Sequence, residues 1–173
     1  MRRKALVVVL IVSVLFSGGA AFTFKNEPEG FRGLKWGDPP GEKMEFVKKR
    51  DKWTRIYRNS GNELKLGDAR FYVIEYEFYT PSNATIRRLM GVSLYFDDKE
   101  NFDILEIICK VKFGKPTQEG FYELVWASLS STVALTYYRI HKGGFLLLGS
   151  TTIFEQYTQE KEEKQAEEAE KDW

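Results

Sequence analysis

The ten residues Arg70–Tyr79 read RFYVIEYEFY. Tyr72, Ile74, Tyr76 and Phe78 fall on one side of an extended chain. Phe71, Val73, Glu75, Glu77 and Tyr79 fall on the other. Period-two alternation with one apolar and one mixed face marks a strand of an antiparallel sheet covered on one side. Leu89–Phe96 repeats the pattern with Met90, Val92, Leu94 and Phe96, and Pro81-Ser-Asn-Ala84 between the two runs is turn chemistry.

Upstream, Trp53–Arg58 reads as a further strand. Residues 22–41 (FTFKNEPEGFRGLKWGDPPG) are punctuated by Gly and Pro and read as an extended lead-in. Pro39-Pro40 suits a helix start, and a short helix over Gly41–Arg50 is expected, with Met44, Phe46 and Val47 on its buried side.

Downstream, Asp97-Asp-Lys-Glu100 carries the capping-box signal, an acid followed three residues later by Glu. Ile104, Ile107, Ile108 and Val111 follow at i, i+3, i+4 and i+7, a stripe expected to pack, with Leu105 and Cys109 widening it. Gly114 and Pro116 end this helix. Three more strands are expected near Tyr122–Ser128, Thr132–Ile140 and Phe145–Thr152, the last two joined by a Lys142-Gly-Gly144 hairpin.

The fold class is therefore α+β: an antiparallel sheet of about six strands with helices packed on one face. The order helix, three strands, helix, three strands has the form of two αβββ halves, although the residues do not match well between them. Residues 22–154 form the single domain. Residues 155–173, with eight acids and three lysines and no apolar stripe, form a charged helical tail.

The N-terminus has a different character. Arg2, Arg3 and Lys4 precede the apolar run Ala5–Phe16 (ALVVVLIVSVLF), and Ser17-Gly-Gly-Ala-Ala21 supplies small residues. Those three parts in that order make residues 1–21 a secretory signal peptide, cleaved after Ala21. The competing reading is an uncleaved anchor, since Ala5–Phe24 is about long enough to cross a bilayer. Membrane contact is expected only in that case. Both readings place the domain in the envelope, and the first in the periplasm.

Composition narrows the chemistry. Hydrophobic residues make up 43% of the 173-residue chain and aromatics 15%, enough for a sizeable core. Residues 22–154 carry 20 basic against 17 acidic side chains, too even a balance for a nucleic-acid partner. With one cysteine, Cys109, and one histidine, His141, neither an intrachain disulfide nor a Cys/His zinc site is expected, and no cofactor motif is present.

Phe31-Arg-Gly-Leu-Lys-Trp-Gly37 directly after the signal peptide resembles the F-R-G-(I/L)-K-W-G opening of a group of small uncharacterised exported bacterial proteins. Asn101-Phe102, Lys112-Phe-Gly-Lys-Pro116, Trp126 and the ending Lys171-Asp-Trp173 are also similar. The resemblance implies an envelope location and a compact α+β domain, and carries no catalytic residue with it.

Phe31, Arg32, Lys35 and Trp36 are the first candidates for partner binding, as an aromatic and cationic surface. The plainer reading has Phe31 and Trp36 plugging one end of the core. Glu75 and Glu77 share a strand face, as paired catalytic carboxylates do, but so does any solvated face. Asp97, Asp98, Glu100, Asn101 and Asp103 fail the calcium-loop spacing and read as helix capping. Cys109 reads as a buried thiol and His141 as an exposed turn residue. Asn83-Ala-Thr85 marks an exposed loop, and Trp173, behind a charged helix, does not close a barrel strand.

Three functions remain in order of support. First is a non-enzymatic binding module using the mixed sheet face or the FRGLKWG segment toward an envelope protein. Second is a carrier of a lipid or other apolar ligand held under helix 101–113. Third is a hydrolase using carboxylates such as Glu75, Glu77 or Asp97.

Overall fold

The computed structural model describes residues 23–171; the segment expected to be a signal peptide, residues 1–21, and Trp173 lie outside the described residues. The lead-in forms a small hairpin, β1 (Gly30–Phe31) and β2 (Leu34–Lys35), turning at Arg32 and Gly33, whose φ values of 49° and 84° suit a tight primed turn. There follow β3 (Met44–Lys49), β4 (Thr54–Asn59), a second hairpin of β5 (Lys65–Leu66) and β6 (Ala69–Arg70), then β7 (Val73–Tyr79) and β8 (Arg88–Asp97). Helix α1 (Lys99–Phe113) precedes β9 (Gln118–Glu119), β10 (Glu123–Ala127), β11 (Ser131–Tyr138) and β12 (Gly143–Ser150). Helix α2 (Thr151–Glu170) ends the described chain. The chain is α+β, as expected. Its main sheet has eight strands rather than six, in the order β3-β4-β7-β8-β12-β11-β10-β9, and all pairs are antiparallel.

The two extra strands, β3 and β9, are the edges of the sheet. The helix expected over 41–50 is instead edge strand β3, paired with β4 through a bulge between Phe46 and Lys48. The expectation failed because Met44, Phe46 and Val47 suit either period in so short a run. Phe46 rests edge-on against Tyr57 yet stays 53% exposed, and Lys48 and Lys49 charge the edge against further pairing. Strand β9 is two residues long and has no sequence pattern of its own.

Alternation along the central strands decides the layers. Ile74, Leu94, Leu146, Leu135 and Leu124 are register partners across five strands, and with Tyr76, Phe78, Val92, Phe96, Trp126 and Val133 they form one buried face. Helix α1 covers it with Phe102, Leu105, Cys109 and Phe113. This is not the expected stripe: Ile107 and Val111 are 65% and 72% exposed. Apolar residues at helical spacing occur on two sides of α1. The side with the two phenylalanines wins, because those rings reach Tyr122, Tyr137, Trp126 and Phe24.

Helix α2 does not share that layer. Ile153, Phe154 and Tyr157 pack with Tyr79 and Met90, and Tyr79 projects from β7 opposite to Phe78. Met90, expected to align with Val92, Leu94 and Phe96, is turned to this side by a bulge in the β7–β8 pairing, and Leu89 takes its place in the main core. The helix thus crosses one end of the sheet on the mixed side, and its packed turns begin before the expected boundary at residue 155. The expectation of helices on one face holds for α1 alone. Among the described residues no helix is long and apolar enough to cross a membrane.

Candidate binding surface

The FRGLKWG segment is mostly turned inward. Phe31 packs on the main core beside Tyr76, with ring centroids 6.2 Å apart. Trp36 touches the main core and the cluster under α2, and its indole N–H donates to the Pro28 carbonyl at 2.6 Å. The Arg32 guanidinium donates to the Glu63 and Lys65 carbonyls and lies 5.2 Å over the Phe31 ring, so it ties the β1–β2 hairpin to the β5–β6 hairpin. Lys35 remains exposed at the hairpin end. The four residues are neighbours, but only Lys35 and part of Arg32 face solvent.

The mixed face of the sheet has a different makeup. Glu75 and Glu77, expected as a solvated pair, are each held by basic side chains from the neighbouring strand and turn. Arg58 binds Glu75 at 2.7 Å, with Lys48 at 3.8 Å, and Arg50 binds Glu77 at 2.5 Å. The two carboxylates are only 11% and 14% exposed. Burial pushes the Glu77 carboxyl above its ordinary range, opposed by Arg50. With each acid neutralised by its own cation, the geometry is that of a cross-strand ion-pair ladder. It is not that of two acids divided between proton donation and attack.

Beside this ladder runs a row of rings: Tyr72, Tyr95, Phe145 and Tyr138. Successive centroids are 6.2, 6.3 and 6.1 Å apart, and the row crosses from the start of β7 through β8 and β12 to β11. Tyr72 is 57% exposed and the other three are half-buried. Burial raises the Tyr72, Tyr95 and Tyr138 hydroxyls above their ordinary pKa, so they are neutral donors at neutral pH. Further along the same face, away from the rings, the residues are small and apolar: Val125, Ala127 and Ala134 are buried with Leu147, and Gly91 pairs with Gly149. The sequence announced the odd-numbered face of β7, but it put Tyr72 with Ile74 and Phe71 with Glu75. The chain bends before β7 begins at Val73, so Phe71 is buried in the core and Tyr72 joins the opposite face beside Tyr95. Nor did the sequence announce that the rings of four separate segments line up, because register is set by pairing between distant strands.

A concavity of about 410 Å³ on another part of the surface is lined by Glu27, Pro28, Glu29, Trp36, Ser130, Ser150 and Thr152. Here the Glu27 carboxylate accepts from Ser128 at 2.8 Å, from Ser130, from Ser131 at 3.5 Å and from the Phe24 amide at 3.1 Å. Burial raises Glu27, but these bonds together outweigh it and hold the carboxyl below its ordinary value. The cluster clamps the lead-in to the β10–β11 turn. Its only sequence signal is the run Ser128-Leu-Ser-Ser131.

The remaining candidates separate. Cys109 is buried in α1 with its thiol pushed up to about 12 by burial, while His141 is exposed in the turn after β11. Asp98, not Asp97, caps α1 by accepting from the Asn101 amide, and Lys99 binds Asp103 at 2.6 Å. Among the described residues no group of three His, Cys, Asp or Glu side chains is arranged to hold a metal. Asn83 is exposed between β7 and β8. The interval between α1 and the sheet, where an apolar ligand was envisaged, is filled by Phe102 against Tyr122 and Tyr137 and by Phe113 against Trp126.

Comparison of the chain with protein-family models, with curated proteins and with solved structures found no match.

Proposed function

We propose that this chain is an exported envelope protein whose domain is a non-enzymatic binding module, and that the mixed sheet face receives its partner. The observation carrying this reading is the row Tyr72–Tyr95–Phe145–Tyr138, four rings side by side on the face opposite α1. Aromatic side chains with polar ends give much contact area at low entropic cost, and they are enriched at recognition surfaces. The export part rests on the basic, apolar and small-residue order of residues 1–21 and on the resemblance carried by FRGLKWG. A hydrolase is disfavoured by the pairing of Glu75 and Glu77 with cations, and a carrier by the filled interval under α1.

The test is site-specific photocrosslinking in the envelope of the host. A benzoylphenylalanine replacing Tyr138 is expected to give a discrete adduct that disappears in the Tyr95→Ser/Phe145→Ser double variant. The same probe at Glu162 on α2 should give none. An adduct from a probe at Lys35, with none from position 138, would move the contact to the FRGLKWG hairpin and overturn this assignment.

A further inference from the structure

Helix α1 carries a second apolar line. At 100° per residue, Ile107 and Val111 point away from the side formed by Phe102, Leu105, Cys109 and Phe113, and Ile104 and Ile108 flank them half-buried. Helices that merely cover a sheet carry polar residues there. The first turn of this helix does so, with Glu100 and Asp103 exposed, but in the last two turns Ile107 and Val111 take the outward line, with the Glu106–Lys110 ion pair along one side of it.

Two observations say what belongs on this line. The first is where the chain joins the fold. Phe24 packs edge-on against Phe113, Lys25 lies against Gly114, and the Asn26 amide donates to the Lys112 carbonyl at 2.8 Å. The upstream chain is thus fastened to the C-terminal end of α1. Seven residues separate Phe24 from Phe16, the last residue of the apolar run. Fully extended, they reach no more than about 30 Å. Whenever that run sits in a bilayer, the C-terminal end of α1 is held near its surface.

The second is charge. Lys25, Lys112 and Lys115 are exposed around this end; the acids here, Glu106 and Glu119, are both held by Lys110, at 2.8 and 2.6 Å, and Glu100 and Asp103 lie at the far end of the helix. An apolar line flanked by lysines is the makeup of a helix that lies in the interface of an anionic membrane.

We infer that the outward face of α1, through Ile107 and Val111 with Lys25, Lys112 and Lys115, is a docking surface for an anionic bilayer. It would be used while the N-terminal segment is inserted, and would leave the mixed sheet face directed away from the lipid. The surface is independent of the aromatic row, so either assignment can fail without the other.

The test uses the full chain incorporated into vesicles of phosphatidylcholine with phosphatidylglycerol or of phosphatidylcholine alone. A polarity-sensitive fluorophore is placed on Val111→Cys or, as a control, on Glu162→Cys. Cys109 is buried with a raised thiol pKa, so labelling goes to the introduced cysteine. The expected result is a blue-shifted probe at 111 in anionic vesicles only, and an unshifted probe at 162 in both. Lys25→Gln/Lys112→Gln/Lys115→Gln should reduce the docked fraction about tenfold or more. A probe at 111 that stays in water, or that shifts equally in neutral vesicles, overturns the proposal. So does a shift that needs no vesicles and grows with protein concentration, which would put a second copy of the chain on the line.

Discussion

The carboxylate of Asp51 accepts from the Trp53 amide at 2.9 Å, from the Thr54 amide and hydroxyl, each at 2.8 Å, and from the Tyr157 hydroxyl at 2.5 Å. One side chain thus shapes the β3–β4 turn and docks α2 on it. Burial raises Asp51, but the four bonds together outweigh it and hold the carboxyl below its ordinary 3.8. A folded pKa below the unfolded one gives stabilisation that is present above the unfolded value and is lost as pH falls through the folded one. Asp51→Asn is therefore expected to cost about 1–3 kcal/mol at neutral pH. The gap from the parent should narrow below about pH 4, as urea midpoints measured from pH 7 to pH 3 would show. A gap that stays constant would mean the charge is irrelevant. Gly144 is limiting for another reason: a Cβ there would lie 2.1 Å from the Thr136 carbonyl oxygen and 2.6 Å from the Phe96 ring. Gly144→Ala should destabilise the domain by about 1–3 kcal/mol through overpacking, measurable as a fall in Tm.

At the scale of elements, the two sides of α1 make opposite predictions. Leu105→Ala should cost about 2–5 kcal/mol, because the site is fully buried, while Val111→Ala should stay within about 0.5 kcal/mol. Equal effects in denaturant titration would reinstate the side of α1 first expected from the sequence. Helix α2 divides along its length: Ile153→Ala should destabilise by about 2 kcal/mol or more, while removing residues 165–173 should leave the urea midpoint nearly unchanged. The long central strands, β7 and β8 and β10 to β12, were legible because each has enough residues for alternation to show. So was the end of α1 at Gly114, and so was the hairpin between β11 and β12, although its turn is Arg139–Lys142 and the two glycines expected in it begin β12. The edges were not: β3 borrows its conformation from β4, and β9 from β10, through pairing that no local pattern encodes. The candidate surface was half legible. Alternation put Glu75 and Glu77 on one face, but the cations that neutralise them and the rings beside them come from other strands. The FRGLKWG segment stands out in the sequence for its glycines and Trp36, and those are the features that bend the lead-in and fasten it to the core.

At the scale of the molecule, the sheet consists of two runs of sequential neighbours, β3-β4-β7-β8 and β9-β10-β11-β12, that meet only where β8 pairs with β12. Such an arrangement unfolds in two steps if each run has its own core, and in one if the core spans the joint. Here it spans the joint: the row Ile74, Leu94, Leu146, Leu135, Leu124 crosses it, and α1 lies over strands of both runs. The chain order reinforces this, since α1 follows the first run yet sets Phe102 against Tyr137 of β11 and Phe113 against Trp126 of β10. Neither run can separate without exposing those rings to water, at about 25 cal/mol for each Å² of apolar surface. Native-state hydrogen exchange should therefore place the amides of Ile74 and Leu135 in the same slowest class, opening with one free energy. Leu94→Ala, at the joint, should lower both by the same amount, about 2–5 kcal/mol. If Ile74 exchanged through a cheaper opening that left Leu135 protected, the two runs would be separate folding units, and the shared core would be a contact between them rather than the basis of both.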